Sequence, residues 1–305
     1  MQSVSEGNHE MNEKVFCIVV TFNPDAAELL KNVRSILENH VALVVVDNGS
    51  SNHETIGEQL QGIPDVAFIP LHENRGIAAA QNVGIEYAYE HGGGFFWLSD
   101  QDTFYPADYI RKALEFIESL DEKEKSNLGV VGPVFYDNNR GAVQPVVVFS
   151  PFTRKYMAKE GANVVSHMIA SGMVIPRKAI DIVGYKNEGL FIDWVDMEWC
   201  WRASYLHDLK LLVCGDLVIN HSLGDSHRNI LGKKIIFRSP FRHYYMVRNA
   251  VSLAVRAKYL PWAVRGELFA KSIAWSLVLP VFSRSGKGQH LKAVATGFYD
   301  GLAGR

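Results

Sequence analysis

What most constrains this chain is an alternation, through its first 125 residues, of short apolar runs with amphipathic stretches. Residues 15–21 (VFCIVVT) and 41–46 (VALVVV) are continuous and rich in β-branched side chains, the composition of strands buried on both faces. Residues 66–70 and 95–98 (FFWL) read as two further strands. Between them, residues 26–39 carry Leu29, Leu30, Val33, Ile36 and Leu37 at helical spacing, and 76–90 and 108–120 also read as helices. Such alternation, joined by right-handed crossovers, predicts an α/β fold: a mostly parallel sheet with helices on both faces. Sheets of this kind bind ligands at the carboxyl ends of their strands. The polar clusters at 21–25, 47–52, 74–76 and 99–103 all fall at those ends.

Beyond residue 128 the pattern changes to mixed strands and loops at 129–135, 143–149 and 168–175. A polar and aromatic block at 190–203 (LFIDWVDMEWCWRA) follows, then a strand at 211–219. From about 228 the chain reads as helical and basic. Residues 1–227 carry 31 acidic and 17 basic side chains, whereas 228–292 carry 13 basic ones and a single acid, Glu267. That basic stretch is also rich in Trp, Leu, Val and Phe, so an anionic membrane surface or a partner subunit is expected rather than nucleic acid. The longest apolar run, 273–282, is broken by Ser276 and Pro280 and falls short of the ~20 residues that span a bilayer. The first residues show no apolar segment of the signal-peptide kind. Cys17, Cys200 and Cys214 sit in apolar runs without metal-ligand spacing and read as buried thiols of a reducing compartment. The expected location is therefore cytoplasmic, or peripheral at the inner face of the cytoplasmic membrane.

Asp100-Gln101-Asp102, directly after the FFWL run, is the central chemical feature. A nucleotide diphosphate carries its charge on oxygens that Mg²⁺ or Mn²⁺ bridges to carboxylates. Two acids one residue apart on a turn can divide that work between ribose and metal. An Asp-x-Asp in a loop is more often plain solvated surface, and here only its position at a strand end raises it. No G-x-G-x-x-G follows the first strand, where Thr21-Phe22-Asn23-Pro24 stands instead, so a nicotinamide-binding fold is not indicated.

Seven ordered blocks over about 230 positions carry a family resemblance. They are Thr21-Phe22-Asn23-Pro24, the run from Val45 to Ser51 through Asp47, Asn74-Arg75-Gly76-Ile77-Ala78 with Asn82 and Gly84, and the run from Leu98 to Asp102. Ala170-Ser171-Gly172, the run from Phe191 to Arg202, and His221 complete the set. Together they resemble the family 2 glycosyltransferases of the inverting GT-A type, and within them bacterial rhamnosyltransferases. The resemblance implies a GT-A domain over 12–227, with a nucleotide-binding half at about 12–125 and an acceptor half at about 126–227. Residues 228–305 would form a C-terminal helical, basic region.

It also implies roles for residues. Asp47 would meet the pyrimidine edge, with Thr21, Phe22 and Asn23 lining that pocket; an Asx turn in Asp-Asn-Gly-Ser is the alternative for Asp47. Asn74, the amides around it and the Arg75 guanidinium would face an anion, or else form a plain helix N-cap. Asn82, Asp100 and Gln101 would complete the nucleotide-sugar site, with Asp102 and His221 holding Mg²⁺ or Mn²⁺. An inverting transfer needs one carboxylate to deprotonate the acceptor hydroxyl, and the family pattern aligns Asp196 with that base, Asp193 being the rival. Were the block helical, Asp193 and Asp196 would share a face. Glu198 would orient a neighbour such as Arg202 or meet the acceptor. Ser171, Gly172, Trp194, Arg242 and Arg248 are candidates for the sugar or acceptor, each with packing as the alternative.

The resemblance implies transfer of rhamnose from dTDP-rhamnose onto a saccharide acceptor, commonly lipid-linked, in surface polysaccharide (O-antigen or capsule) biosynthesis. Another hexose from a UDP or dTDP donor is the nearest alternative, and a non-catalytic nucleotide-sugar-binding scaffold is the alternative of another class.

Overall fold

The apolar runs of the first half become the parallel part of one twisted sheet. A computed structural model of the chain describes residues 13–137, 141–220, 227–230, 233–236, 238–283 and 286–305. The first half comprises β1 (Lys14–Thr21), α1 (Ala26–Leu37), β2 (Ala42–Asp47), α2 (His53–Leu60), β3 (Val66–Pro70), α3 (Ile77–Glu90), β4 (Gly93–Asp100) and α4 (Tyr109–Ser119). The central part holds α5 (Glu122–Ser126), β5 (Leu128–Asp137), β6 (Ala142–Val143), β7 (Val146–Phe149), β8 (Thr153–Tyr156), β9 (Ala162–Val164) and β10 (Met173–Pro176). There follow α6 (Arg177–Val183), α7 (Val195–Trp201), β11 (Lys210–Asn220), β12 (His227–Ile230) and β13 (Lys233–Ile236). Three helices, α8 (Pro240–Arg256), α9 (Trp262–Phe282) and α10 (Lys287–Ala303), end the chain.

The main sheet has the order β3-β2-β1-β4-β10-β5-β11-β9, with β6 paired to β5. Strands β1 to β4 run parallel, while β10 is antiparallel to both β4 and β5. Successive residues of β1 feed opposite cores. Cys17 and Val19 pack with α1 and α4 residues such as Leu29, Val33 and Ile110. Phe16 and Ile18 pack with Ala80 and Ile85 of α3 and with Ile180 of α6. This two-sided burial is why the strands read as continuous apolar runs. Each buried Val, Leu or Ile contributes roughly 1.5–3 kcal/mol. All three cysteines are buried and free, and burial pushes the Cys200 thiol up to about 12.

The second half departs from the sequence reading in four places. The expected strand at 143–149 is split, because Pro145 has no amide to donate, and β7 instead forms a separate two-stranded ribbon with β8. The expected strand at 168–175 shrinks to β10, since residues 170–172 form a turn before it. The block at 190–203 is helical only from Val195. Phe191, Asp193 and Trp194 before it take positive φ values of 61°, 63° and 68°. The C-terminal region opens with the β12–β13 hairpin rather than a helix. Helices α8 and α9 then share an apolar cluster with Trp201 of α7 through Leu253, Val264 and Leu268.

Candidate active site

At the carboxyl ends of β1 to β4 the loops are laced together by side-chain hydrogen bonds. Asp47 is fully buried. Its carboxylate accepts from Thr21 Oγ1 (2.9 Å), from the Ser50 amide (2.9 Å) and from Ser50 Oγ, which is the Asx-turn geometry of Asp-Asn-Gly-Ser. Asn23, at φ 46°, donates its amide to Ser50 Oγ, and its side-chain oxygen accepts from the Ser51 amide (2.9 Å) and hydroxyl (3.0 Å). Gln101 Oε1 accepts from the Phe22 amide (2.8 Å), so the residue between the two acids ties the ends of β4 and β1 together. Left exposed on this face are Phe22, Asn74, Arg75 and Asp102.

The amides around Asn74 are not offered to an anion. Arg75 N donates to Asn48 Oδ1 (2.9 Å), Gly76 N to Asn74 Oδ1 (3.0 Å), and Ile77 N to the Phe191 carbonyl (2.7 Å). Gly76 stands at φ 85°, and a Cβ there would lie 2.6 Å from the Phe191 oxygen, so only glycine allows the loop before α7 to close this helix end. Of that cluster, the exposed Arg75 guanidinium is what remains for a phosphate.

The turn 170–172 joins the two halves of the site. Ser171 Oγ donates to the Asp100 carboxylate, and the Ala170 amide donates to Asp196 Oδ2 (3.0 Å). Adjacent residues thus hold the acid ending β4 and the candidate base on α7. Asp196 Oδ1 meets Lys186 Nζ at 3.2 Å, and that lysine is fully buried beside the Trp199 ring. Lys186 carries no motif, and only its long-range placement brings it here. Asn82 is part of that placement. Its side chain is occupied by the Lys186 amide (2.8 Å) and carbonyl (3.0 Å) and by Glu188 (2.9 Å), which makes it a brace for the Lys186 loop instead of a nucleotide ligand.

Other expected acceptor residues are also occupied. Gly172, at φ 84°, is packed so that a Cβ would lie 2.6 Å from Tyr109 Oη, which accounts for a glycine here by packing. Glu198 Oε1 accepts from Arg202 Nε (2.8 Å) and Tyr259 Oη (2.9 Å), so it orients Arg202 and does not face outward. Burial and the Glu198 carboxylate push the Tyr259 phenol well up. Asp193 does not share a helical face with Asp196, because α7 begins after it; it pairs with Arg238 and with Arg242 (2.9 Å). Arg248 donates to the Gly189 carbonyl and lies over the Tyr245 ring at 4.9 Å. Asn249 Nδ2 donates to the carbonyls of Leu190, Ile192 and Asp193 at 2.8 to 3.1 Å. Arg242, Arg248 and Asn249 therefore clamp the 189–193 segment, and the two arginines are engaged within the chain. Trp194 donates Nε1 to the Met246 carbonyl (3.0 Å) and packs on Trp201 and Trp275.

Residues 16–183 match the model of "Glycosyl transferase family 2". The chain belongs to that family. It is 31% identical over 301 residues, 96% of this chain and 97% of the relative, to "dTDP-rhamnosyl transferase RfbF" of Shigella flexneri. Among solved structures it resembles "GalNAc-T7 with UDP, GalNAc and Mn2+" (TM-score 0.62, 14% identity), covering 95% of this chain and 56% of that one. It also resembles S. aureus TarS 1-349 (TM-score 0.55, 16% identity), covering 96% and 92%. At those identities the two structures speak for the GT-A fold alone.

Of the two expected metal ligands, one is described. Asp102 is exposed and has no partner among the described residues, whereas His221 lies outside them. Among the described residues no group of three or more His, Cys, Asp or Glu side chains could hold a metal ion. An exposed carboxylate nonetheless suits Mg²⁺ or Mn²⁺, since Mg²⁺ commonly uses one or two carboxylates and completes its shell with water and substrate phosphates.

Proposed function

We propose that this family 2 glycosyltransferase moves rhamnose from dTDP-rhamnose to a hydroxyl of a saccharide acceptor, with inversion, in surface polysaccharide biosynthesis. The dTDP-rhamnosyl relative that matches along nearly the whole chain supports the donor. The observation that carries the site is the Ala170–Ser171 turn, which binds Asp100 on one side and Asp196 on the other. Asp196 Oδ takes the acceptor proton as the hydroxyl oxygen attacks the anomeric carbon. The bond from that carbon to the diphosphate oxygen breaks, and the nucleoside diphosphate leaves. Arg75 stands at the strand-end face as a cation for the diphosphate. Asp102, with His221, would hold Mg²⁺ or Mn²⁺, and the ion would supply charge stabilisation to the leaving diphosphate. Lys186 holds the Asp196 carboxylate fixed in direction.

The exposed apolar residues Trp262, Leu277 and Val281 of α9, with Lys287 and Lys292 beyond them, support peripheral contact with an anionic membrane. A lipid-linked acceptor fits that placement. Among the described residues, no helix is long and apolar enough to cross a membrane.

A thermal-shift series with dTDP-rhamnose, UDP-glucose and UDP-N-acetylglucosamine, each with Mg²⁺ or Mn²⁺, tests the donor. A ligand at 100 times its Kd stabilises by about 2.7 kcal/mol. dTDP-rhamnose is expected to give the largest shift, and a larger shift with a UDP-hexose would replace the rhamnose assignment.

A further inference from the structure

The candidate base and the lysine that holds it belong to one closed circuit of contacts. Helix α6 ends at Val183, and Gly184, at φ 78°, turns the chain through Tyr185 into Lys186. Carbonyls at a helix C-terminus have no partner within the helix. Here three consecutive ones are met by side chains of α7 and of the residue directly after it. Arg202 Nη1 donates to the Val183 carbonyl (2.7 Å), Trp199 Nε1 to that of Gly184 (2.8 Å) and Arg202 Nη2 to that of Tyr185 (2.7 Å). Asn82 then holds the amide and carbonyl of Lys186. The same α7 carries Asp196 in its first turn. The path from Asp196 along α7 to Arg202, across to the 183–185 turn and on to Lys186 Nζ thus returns to Asp196 Oδ1, at 3.2 Å.

Arg202 is itself fixed. Its Nε donates to Glu198 Oε1 (2.8 Å), which also accepts from Tyr259 Oη (2.9 Å) on the connection between α8 and α9. The Glu198 side chain keeps 4% of its surface open and that of Arg202 keeps 18%. All three guanidinium nitrogens are therefore spent within the chain, two of them on a single tight turn. A planar fork with donors in fixed directions can span two carbonyls of one turn, whereas an ammonium on a flexible stem is a point donor. The Lys186 side chain is wholly withdrawn from water and ends at Asp196. A displaced turn would carry its Nζ away from the carboxylate.

We propose that Arg202 is a positioning residue for the transfer: by fixing the 183–185 turn it sets Lys186 against Asp196 and so aims the base. The proposal rests on the glycosyltransferase reading and deepens it. Its test is the coupling between Lys186 and Asp196, measured by urea unfolding of the full chain carrying Asp196→Asn, Lys186→Met or both. The set is made first with Arg202 native and then with Arg202→Lys, which keeps the positive charge but not the fork. With Arg202 native, Asp196→Asn is expected to shift the unfolding equilibrium about tenfold or more further when Lys186 is present than when it is replaced. With Arg202→Lys that ratio is expected to fall to about threefold or less, because a lysine released from the turn no longer needs the carboxylate. A residue that merely held the fold would lower every variant alike and leave the ratio unchanged. Glu198→Gln/Arg202→Met removes both buried charges together and keeps an acceptor for Tyr259, so it gives the same reading should Arg202→Lys not fold. In parallel, release of dTDP from saturating dTDP-rhamnose, with water as acceptor, is expected to fall about tenfold or more in Arg202→Lys, the half-saturating concentration changing by less than about threefold. An unchanged ratio, or unchanged turnover at saturating donor in a folded Arg202→Lys, would overturn the proposal. Absence of dTDP release by the unsubstituted protein would instead count against the donor reading, and the unfolding ratio would still decide whether Arg202 places Lys186.

Discussion

Lys186 holds Asp196 at 3.2 Å with a side chain that is itself completely withdrawn from water. The pair is asymmetric, because the Asp196 carboxylate keeps a quarter of its surface open, 24%, while the lysine keeps none. Removing the carboxylate therefore leaves a buried, uncompensated ammonium. Asp196→Asn is expected to lose about 3 kcal/mol of stability as well as sugar transfer. Adding Lys186→Met should return most of the stability but none of the transfer. Urea unfolding of the two single variants and the double variant measures that coupling.

The Arg75 side chain contributes nothing visible to the fold, since its guanidinium is exposed and unbonded among the described residues. Arg75→Ala should leave the melting temperature unchanged in the absence of ligand. It should weaken dTDP-rhamnose binding by roughly tenfold or more, the loss of a charge-assisted contact of about 1.5–3 kcal/mol. Calorimetric titration of wild type and variant decides this.

Gly76 and Gly172 both stand at positive φ with neighbours inside the space a Cβ would need. Alanine at either position should destabilise by about 2 kcal/mol or more, combining backbone strain with a clash. Gly76→Ala acts on the Phe191 contact that closes α3, and Gly172→Ala acts on the Tyr109 and Pro133 contacts below the turn. A melting temperature within about 1 °C of wild type for either would contradict the packing described here.

His243 is a buried neutral imidazole. Its Nε2 accepts the Arg238 amide (3.2 Å), which leaves Nδ1 to donate to His290 Nδ1 at 2.8 Å. Burial first, then His290 and Arg238, lower its pKa from 6.5 to about 4. As pH falls below 6.5 the unfolded chain takes up the proton before the folded one does. Stability should thus decline progressively from pH 6.5 towards 4. His243→Gln should flatten that decline, as read from melting temperatures between pH 7.5 and 4.5.

Chelation by EDTA should abolish transfer and reduce the thermal shift given by dTDP-rhamnose. Asp102→Asn should reproduce both effects in the presence of metal without altering the melting temperature of the protein alone, because the side chain is exposed and unbonded among the described residues. A full metal-dependent shift in Asp102→Asn would remove this residue from the ion.

The first half of the fold was legible because burial on both faces writes itself directly into β1 and β2 as unbroken β-branched runs. The strand-end clusters were legible for a topological reason, since parallel strands bring their carboxyl ends to one edge. The second half was not. Nothing local in Phe191-Ile192-Asp193-Trp194 announces three non-glycine residues at positive φ; Asn249, more than fifty residues on, holds that segment. Lys186 has no signal of its own, and it reaches Asp196 through a backbone pinned by Asn82, 104 residues earlier. Composition also cannot separate a paired arginine from a free one. Arg242 and Arg248 read as a basic surface, yet their guanidinium groups are spent on Asp193 and on the Gly189 carbonyl.

The Asp196→Asn/Lys186→Met double variant tests the central claim most directly, because it separates the base from the fold. Its dTDP-rhamnose thermal shift should match that of wild type, while rhamnose transfer to acceptor, followed by release of dTDP, should fall by at least 10²-fold. A folded, donor-binding double variant that still transfers sugar at a rate within about tenfold of wild type would contradict the assignment of Asp196 as the base.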